Sequence, residues 1–179
     1  MEKPSSYCAY VNNLPLDNVH RVYHDTQYGF PIDSDDELFG RLILEINQAG
    51  LSWTTILNKQ ESFRKAFSEF SINEISRYTE ADINRLLNNK GIVRNKLKIN
   101  AVIYNAKQIK VIQDKHGSFK NWLDNQNGLE LIDWVKLFKK TFKFTGGEIT
   151  KEFLISKGNF QRAHIDTCPI HHKIGISSS

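Results

Sequence analysis

Residues 79–109 read TEADINRLLNNKGIVRNKLKINAVIYNAKQI, and their pattern decides the fold. Thr79-x-x-Asp82 starts a helix, and Ile83, Leu86 and Leu87 take its apolar side until Asn88-Asn89-Lys90-Gly91 breaks the period. Ile92 and Val93 open a second, longer helix whose apolar face is Ile99, Val102, Ile103, Ala106 and Ile109, at three- and four-residue steps. Two helices joined by so short a turn form a hairpin, with Gly91 expected where the backbone needs a positive φ. Free amides at the start of the second helix, with Lys90, Arg94, Lys96 and Lys98 beside them, make an anion site suited to a phosphate. The same residues also read as an ordinary helical hairpin with a solvated basic face, and the pattern alone leaves both open.

The helical period extends outward from this hairpin in both directions. Upstream, Ser34-x-x-Glu37 is a capping box followed by Leu38, Leu42 and Ala49 on one stripe and Phe39, Ile43 and Ile46 on the next, and Gly50 stops the helix. Ser52 can cap another helix carrying Ile56, Phe63 and Phe67, and Ser71-x-x-Glu74 opens a short one with Ile72 and Ile75. Downstream, Phe119, Trp122 and Leu123, then Leu131, Ile132, Val135 and Phe138, continue the pattern. Strand alternation is nowhere sustained, so the expectation is all-α. After Thr141 the pattern blurs: Gly146-Gly147 reads as a turn, Thr150 to Ser156 as one more helix, 158–179 as irregular and 176–179 as a loose tail.

With 179 residues, 40% of them apolar and no Gly/Ser/Pro-rich linker, the chain reads as one compact domain over 1–179 with room for two lobes. No run of 18 apolar residues and no charged-then-apolar leader occurs, so a membrane span and a signal peptide are both unsupported and a cytoplasmic location is expected. The net charge of +4 and pI of about 9.0 suit a polyanionic partner without requiring one.

The two cysteines sit at opposite ends, each with a histidine nearby: Cys8 with His24, and His164 with Cys168. His-x3-Cys separates an imidazole and a thiolate by one helical turn or one tight loop, a spacing at which both reach a tetrahedral Zn²⁺. Such a staple would close a loop nearly as long as the chain. The bland alternative is two ordinary buried thiols and unrelated histidines.

Glu45 is the odd residue of the first strong helix. It follows Leu38 by seven and Leu42 by three, so its carboxylate points along the apolar stripe. It is either a core glutamate satisfied by an amide or an arginine, or part of a pocket. Asn47, Gln48, Gly50 and Trp53 follow at once, giving a helix-to-helix corner that could hold a flat heterocycle, with Trp53 and Tyr23 as stacking faces. A carboxylate between electron-rich rings favours a cationic guest. Plain core packing remains the commoner fate of both aromatics.

Together, Cys8, Tyr23-His24-Asp25, Leu44-Glu45-x-x-Gln48-Ala49-Gly50-Leu51-Ser52-Trp53, Lys90-Gly91-Ile92-Val93-Arg94, Lys143-Phe144-Thr145-Gly146 and His164-x3-Cys168 resemble the DNA-3-methyladenine glycosylase I family. The resemblance implies an all-helical fold of the helix-hairpin-helix superfamily, with the hairpin over about 79–110, and an alkylated purine in double-stranded DNA as substrate. Cys8, His24, His164 and Cys168 resemble ligands of one structural zinc. Glu45 resembles the acid that hydrogen-bonds the flipped base, Tyr23 and Trp53 its aromatic walls, with Gln48 and His20 also at the base. Lys90, Gly91, Ile92, Arg94 and Lys96 resemble the hairpin that grips DNA. The implied protein is a monomer working in base-excision repair with no membrane partner.

The chain departs from the family pattern at His20, where a tyrosine is usual, at Ile46 for glycine, at Ala163 for aspartate and at Lys151 for tyrosine, and its span from Cys8 to His24 is longer than usual. Superfamily relatives that excise less labile bases carry a catalytic aspartate beyond the hairpin; Asp114, Asp124 and Asp133 match that context poorly. A zinc-stapled protein that binds DNA or a modified base without cutting is the competing expectation. A small-molecule binder with an aromatic cage is another.

Overall fold

The computed structural model describes residues 4–158, 160 and 163–177, and among these every regular element is helical. The chain forms two compact units, one of residues 1–31 and 154–179, the other of residues 32–153.

The first unit holds α1 (Tyr7–Asn12), α2 (Val19–Thr26) and α11 (Pro169–Ser177). Ser6 and Asn18 start α1 and α2 by accepting the amides of Ala9 and His20 on their side-chain oxygens. Residues 164–177 are ordered into a turn and α11, a correction to the expected irregular ending: Pro169 stands at the first helical position, which its missing N–H suits. Of the expected loose tail, 176 and 177 complete α11, and 178–179 lie outside the described residues.

The second unit is built around α3 (Asp35–Gln48), α4 (Trp53–Ala66), α5 (Ile72–Ile75), α6 (Glu80–Leu87), α7 (Lys96–His116), α8 (Phe119–Asp124) and α9 (Leu131–Thr141), with the first part of α10 (Gly147–Ser156). Helices α3 and α7 pack on each other, and α4, α5 and α8 gather around α3 and α5, α6 and α8 around α7. Phe39, Leu42, Ile43 and Ile46 of α3 meet a core that includes Ile99, Val102, Ala106 and Ile109 of α7, all buried, as the stripes required. Each such side chain removed from water contributes on the order of 1.5–3 kcal/mol.

Local chemistry explains the boundaries. Ser34, Ser52 and Ser71 each accept the amide three residues on, and the amide and hydroxyl of Thr79 both donate to the Asp82 carboxylate. The Ser34 box is only half used, because Glu37 turns away to a two-pronged pair with Arg64 at 2.7 and 2.8 Å. Asp35 accepts the amides of Phe119 and Lys120 and so caps α8 from a distance. Gly50 adopts a φ of +79° just past α3, as expected of the glycine that ends it.

Elsewhere the expected elements shift. Gly147 opens α10, so the bend falls earlier, at Lys143-Phe144, where Phe144 has a φ of +58°. The buried Asn105 side chain holds that bend by donating to the Lys143 carbonyl and accepting its amide. On α9 the inward residues are Trp134 and Phe138, whereas Ile132 is exposed.

Candidate functional site

The four proposed metal ligands converge in the first unit. Cys8 comes from α1, His24 from α2, and His164 and Cys168 from the turn before α11; all four are buried. His24 Nε2 lies 3.3 Å from Cys8 Sγ and 3.8 Å from Cys168 Sγ. His164 Nδ1 lies 3.7 and 3.6 Å from the same sulfurs, and the two nitrogens are 3.0 Å apart. A tetrahedral ion with bonds of about 2.0–2.3 Å to nitrogen and sulfur has ligand-to-ligand edges of roughly 3.3–3.8 Å; the four nitrogen–sulfur distances match this range and the nitrogen–nitrogen distance is shorter, so the cluster could hold one metal ion.

Both imidazoles are oriented for the task by their other nitrogen. His24 Nδ1 sits 2.6 Å from an Asp25 carboxylate oxygen, and His164 Nε2 sits 2.6 Å from the Tyr28 carbonyl. Each of those nitrogens therefore carries the proton, leaving His24 Nε2 and His164 Nδ1 as the lone-pair donors that face the sulfurs. Burial pushes the Cys8 thiol up and the His164 imidazole down. A divalent ion would hold both sulfurs as thiolates. Gly29 makes the arrangement possible: with a φ of +79°, a Cβ there would stand 2.5 Å from the Ala163 Cβ and 3.2 Å from the His164 ring. Only glycine lets the Tyr28 carbonyl come so close to His164. Sequence spacing pointed to the four ligands but gave no sign of the orienting roles of Asp25 and Tyr28.

Tyr23 and His20, on α2, are buried in this same unit among Tyr7, Tyr10 and Tyr28. The Tyr7 hydroxyl lies 3.0 Å from His20 Nδ1, and the Tyr23 and Tyr28 rings are 5.8 Å apart. Burial lowers the affinity of His20 for a proton.

In the second unit, Glu45, Gln48 and Trp53 follow one another around the corner from α3 to α4. Glu45 is 4% exposed. Loss of water pushes its carboxyl up to about 8, the nearby Glu152 carboxyl adds to the effect, and the Arg41 guanidinium one turn earlier opposes it. Arg41 is thus the cation whose charge reaches Glu45, and the upward push of burial outweighs it. Trp53 is half-buried at the first position of α4. The Gln48 amide donates weakly to the Leu51 carbonyl at 3.4 Å. Asn47, expected as a second amide for the corner, instead donates to the Ile43 carbonyl and serves its own helix.

The hairpin differs from its expected form in four respects. Helix α7 begins at Lys96, capped by the Asn95 side chain, so Ile92 and Val93 belong to the turn. Gly91 has no positive φ; its missing Cβ matters because one would lie 3.0 Å from the Asn89 side chain and 3.1 Å from Ser62 on α4. The amides of Gly91 and Ile92 are already donated within the turn, to the Asn89 side chain and carbonyl. Lys98, counted among the cations of the anion site, is buried and donates to the carbonyls of Asn47 and Ala49 at 2.9 and 2.6 Å. Its ammonium caps the negative end of α3. Lys90, Arg94 and Lys96 remain exposed.

The family model described as methyladenine glycosylase matches residues 13–133, which include His24, the Glu45 corner and the hairpin. Two curated relatives are the DNA-3-methyladenine glycosylase of Haemophilus influenzae, 37% identical over 59% of this chain, and DNA-3-methyladenine glycosylase 1 of Escherichia coli, 34% identical over 73% of it. The chain spans 57% and 62% of the length of these two relatives. A solved 3-methyladenine DNA glycosylase I from Staphylococcus aureus superposes with a TM-score of 0.81 at 29% identity, covering 94% of this chain and 98% of that one. Another 3-methyladenine DNA glycosylase I, solved in complex with 3-methyladenine, gives 0.79 at 30% identity over 88% of this chain and 94% of its own. The match to the family model covers well over half of the chain, and the motifs around Glu45 and the hairpin lie inside it; the chain belongs to the methyladenine glycosylase family, the DNA-3-methyladenine glycosylases I that its motifs resemble.

Proposed function

We propose that this protein is a DNA glycosylase that hydrolyses the N-glycosidic bond of 3-methyladenine in DNA. The observation that carries the reading is the buried Glu45 carboxyl at the corner from α3 to α4, which loss of water pushes up to about 8 despite the Arg41 charge nearby. Such a group burdens the fold, and strongly displaced carboxyls concentrate where chemistry is done. The family supplies the guest, since one relative was solved with 3-methyladenine bound.

An adenosine alkylated at N3 carries a positive charge, so its base is already a good leaving group. Extruding the damaged nucleotide costs a few kcal/mol, less for a base that pairs poorly, and contacts to the DNA backbone from the exposed cations Lys90, Arg94 and Lys96 offset it. Glu45 then holds and orients the cationic base. The approaching charge favours the carboxylate, so the Glu45 proton passes to water as the lesion enters. The N9–C1′ bond breaks with its electron pair going to the base, which leaves neutral; water adds to C1′ and yields a proton to solvent. Trp53 offers a flat face to the base, and Gln48 offers a polar edge.

Zinc is the metal proposed for Cys8, His24, His164 and Cys168. Two thiolates and two imidazoles suit it, and with four protein ligands its role is to hold α1, α2 and the turn before α11 together, not to activate water.

Release of free 3-methyladenine from alkylated duplex DNA tests the function. The parent protein releases it, while Glu45→Gln and Trp53→Ala lose most of the release and keep duplex binding. Release undiminished in both variants refutes the pocket. Tight binding with no release by the parent leaves a recognition protein in place of an enzyme.

A further inference from the structure

We propose that α4 supplies a DNA contact of its own: Lys59, which with Lys90 and Arg94 forms a composite seat for a phosphodiester of the bound strand. The proposal rests on the reading of DNA as the substrate and extends it to a residue outside the hairpin.

Helix α4 docks directly on the hairpin turn. The absent Cβ of Gly91 lets Ser62 approach, and Thr55, Lys59 and Ser62 lie on one stripe of α4 at four- and three-residue steps. Whatever holds Ser62 against Gly91 therefore also aims Lys59 and Thr55 along the turn. The Lys59 ammonium donates to the Lys90 carbonyl at 3.2 Å, which fixes its position over the hairpin. An ammonium has three donors, so two remain for an outside acceptor.

The same three cations border an open groove of about 610 Å³ that also carries the Thr55 hydroxyl and has no carboxylate in its lining. None of the three is in an ion pair among the described residues, whereas Arg64 and Lys65, on other faces of α4, pair with Glu37 and Glu61. Since the Gly91 and Ile92 amides are used inside the turn, side-chain cations must carry much of the anion binding here. A polyanion whose charges repeat along a strand matches this run of unpaired cations.

The test is binding of an unmodified duplex followed by fluorescence anisotropy across a series of salt concentrations. Lys59→Met keeps the apolar stem and removes the charge. It is expected to weaken binding about three- to tenfold at low salt and to reduce the slope of log affinity against log salt by about one. Lys59→Arg should restore most of the slope, and Lys65→Ala, on the same helix but paired with Glu61, should match the parent. Parent-like affinity and slope in Lys59→Met would overturn the proposal, as would an equal loss in Lys65→Ala, which would mark a general charge effect. Base release by the parent on alkylated duplex is measured beside it. A changed slope without release keeps the seat and removes the glycosylase reading; release with an unchanged slope does the reverse.

Discussion

Glu45→Gln should make the protein more stable while disabling it, by an amount that depends on pH. The carboxyl titrates near about 8 in the folded protein, against an ordinary value of about 4.5 in the unfolded chain. Between these values the folded state keeps a proton that the unfolded state has lost, so stability falls as pH rises. The cost is absent below about pH 4.5, grows by about 1.4 kcal/mol per pH unit, and is complete above about pH 8. At pH 7 the gap of about 2.5 units corresponds to roughly 3 kcal/mol, and at pH 5 to under about 1 kcal/mol. An uncharged glutamine has no such cost. Thermal denaturation of parent and variant at pH 5, 6 and 7 should therefore show a difference in Tm that widens with pH, to about 6–12 °C at pH 7 for a chain of this size. Glu152→Gln removes the like charge that adds to the shift and should narrow the difference. A Tm difference that stays flat from pH 5 to 7, or a variant less stable at pH 7, would mean that Glu45 is not held protonated and would remove the main support for the pocket.

The remaining predictions concern the metal cluster and two glycines. Asp25→Asn leaves the four ligands intact but weakens the orientation of His24, and zinc affinity measured by chelator competition should fall about 10- to 100-fold. Cys168→Ser should lose stoichiometric metal altogether and lower Tm; metal analysis showing the parent protein to be metal-free would reject the cluster as a zinc site. Gly40→Ala should be damaging, since the new Cβ would meet the buried Phe70 ring at 2.3 Å and force α3 and the 68–70 turn apart, at a cost of about 1–3 kcal/mol or more. Gly91→Ala, whose Cβ would meet its neighbours at 3.0–3.1 Å without a left-handed backbone, should cost less, and chemical denaturation of the two variants compares them.

How far the sequence could be read depended on whether a feature was local. Helices α3 to α9 were legible because caps such as Ser34, Ser52 and Thr79 and the apolar steps behind them act within one or two turns. Helices α1 and α2 escaped notice: α1 is one and a half turns long, too short to display a period. Helix α11 follows a stretch whose order depends on His164 meeting residues about 140 positions earlier. The Cys/His cluster itself was legible, because cysteine and histidine are scarce and their pairing at both ends is conspicuous. Their second partners were not, since a backbone carbonyl such as that of Tyr28 leaves no mark in the sequence.

Lys98 and Lys59 show the same limit acting in opposite directions. A run of cations after Gly91 suggested one basic face, yet the helical twist turns Lys98 inward, where the end of α3 offers two carbonyls that need a donor. Lys59, 31 positions before Lys90, gave no signal at all and reaches the hairpin because α4 packs against the turn at Gly91. Charge along a chain is a one-dimensional pattern, whereas an anion senses the charge remaining on a surface after internal acceptors have taken their share. The useful distinction among these cations is therefore whether an internal partner already uses their donors. By that criterion Lys98 belongs to the fold, and Lys59, anchored through one donor of three, belongs with the hairpin.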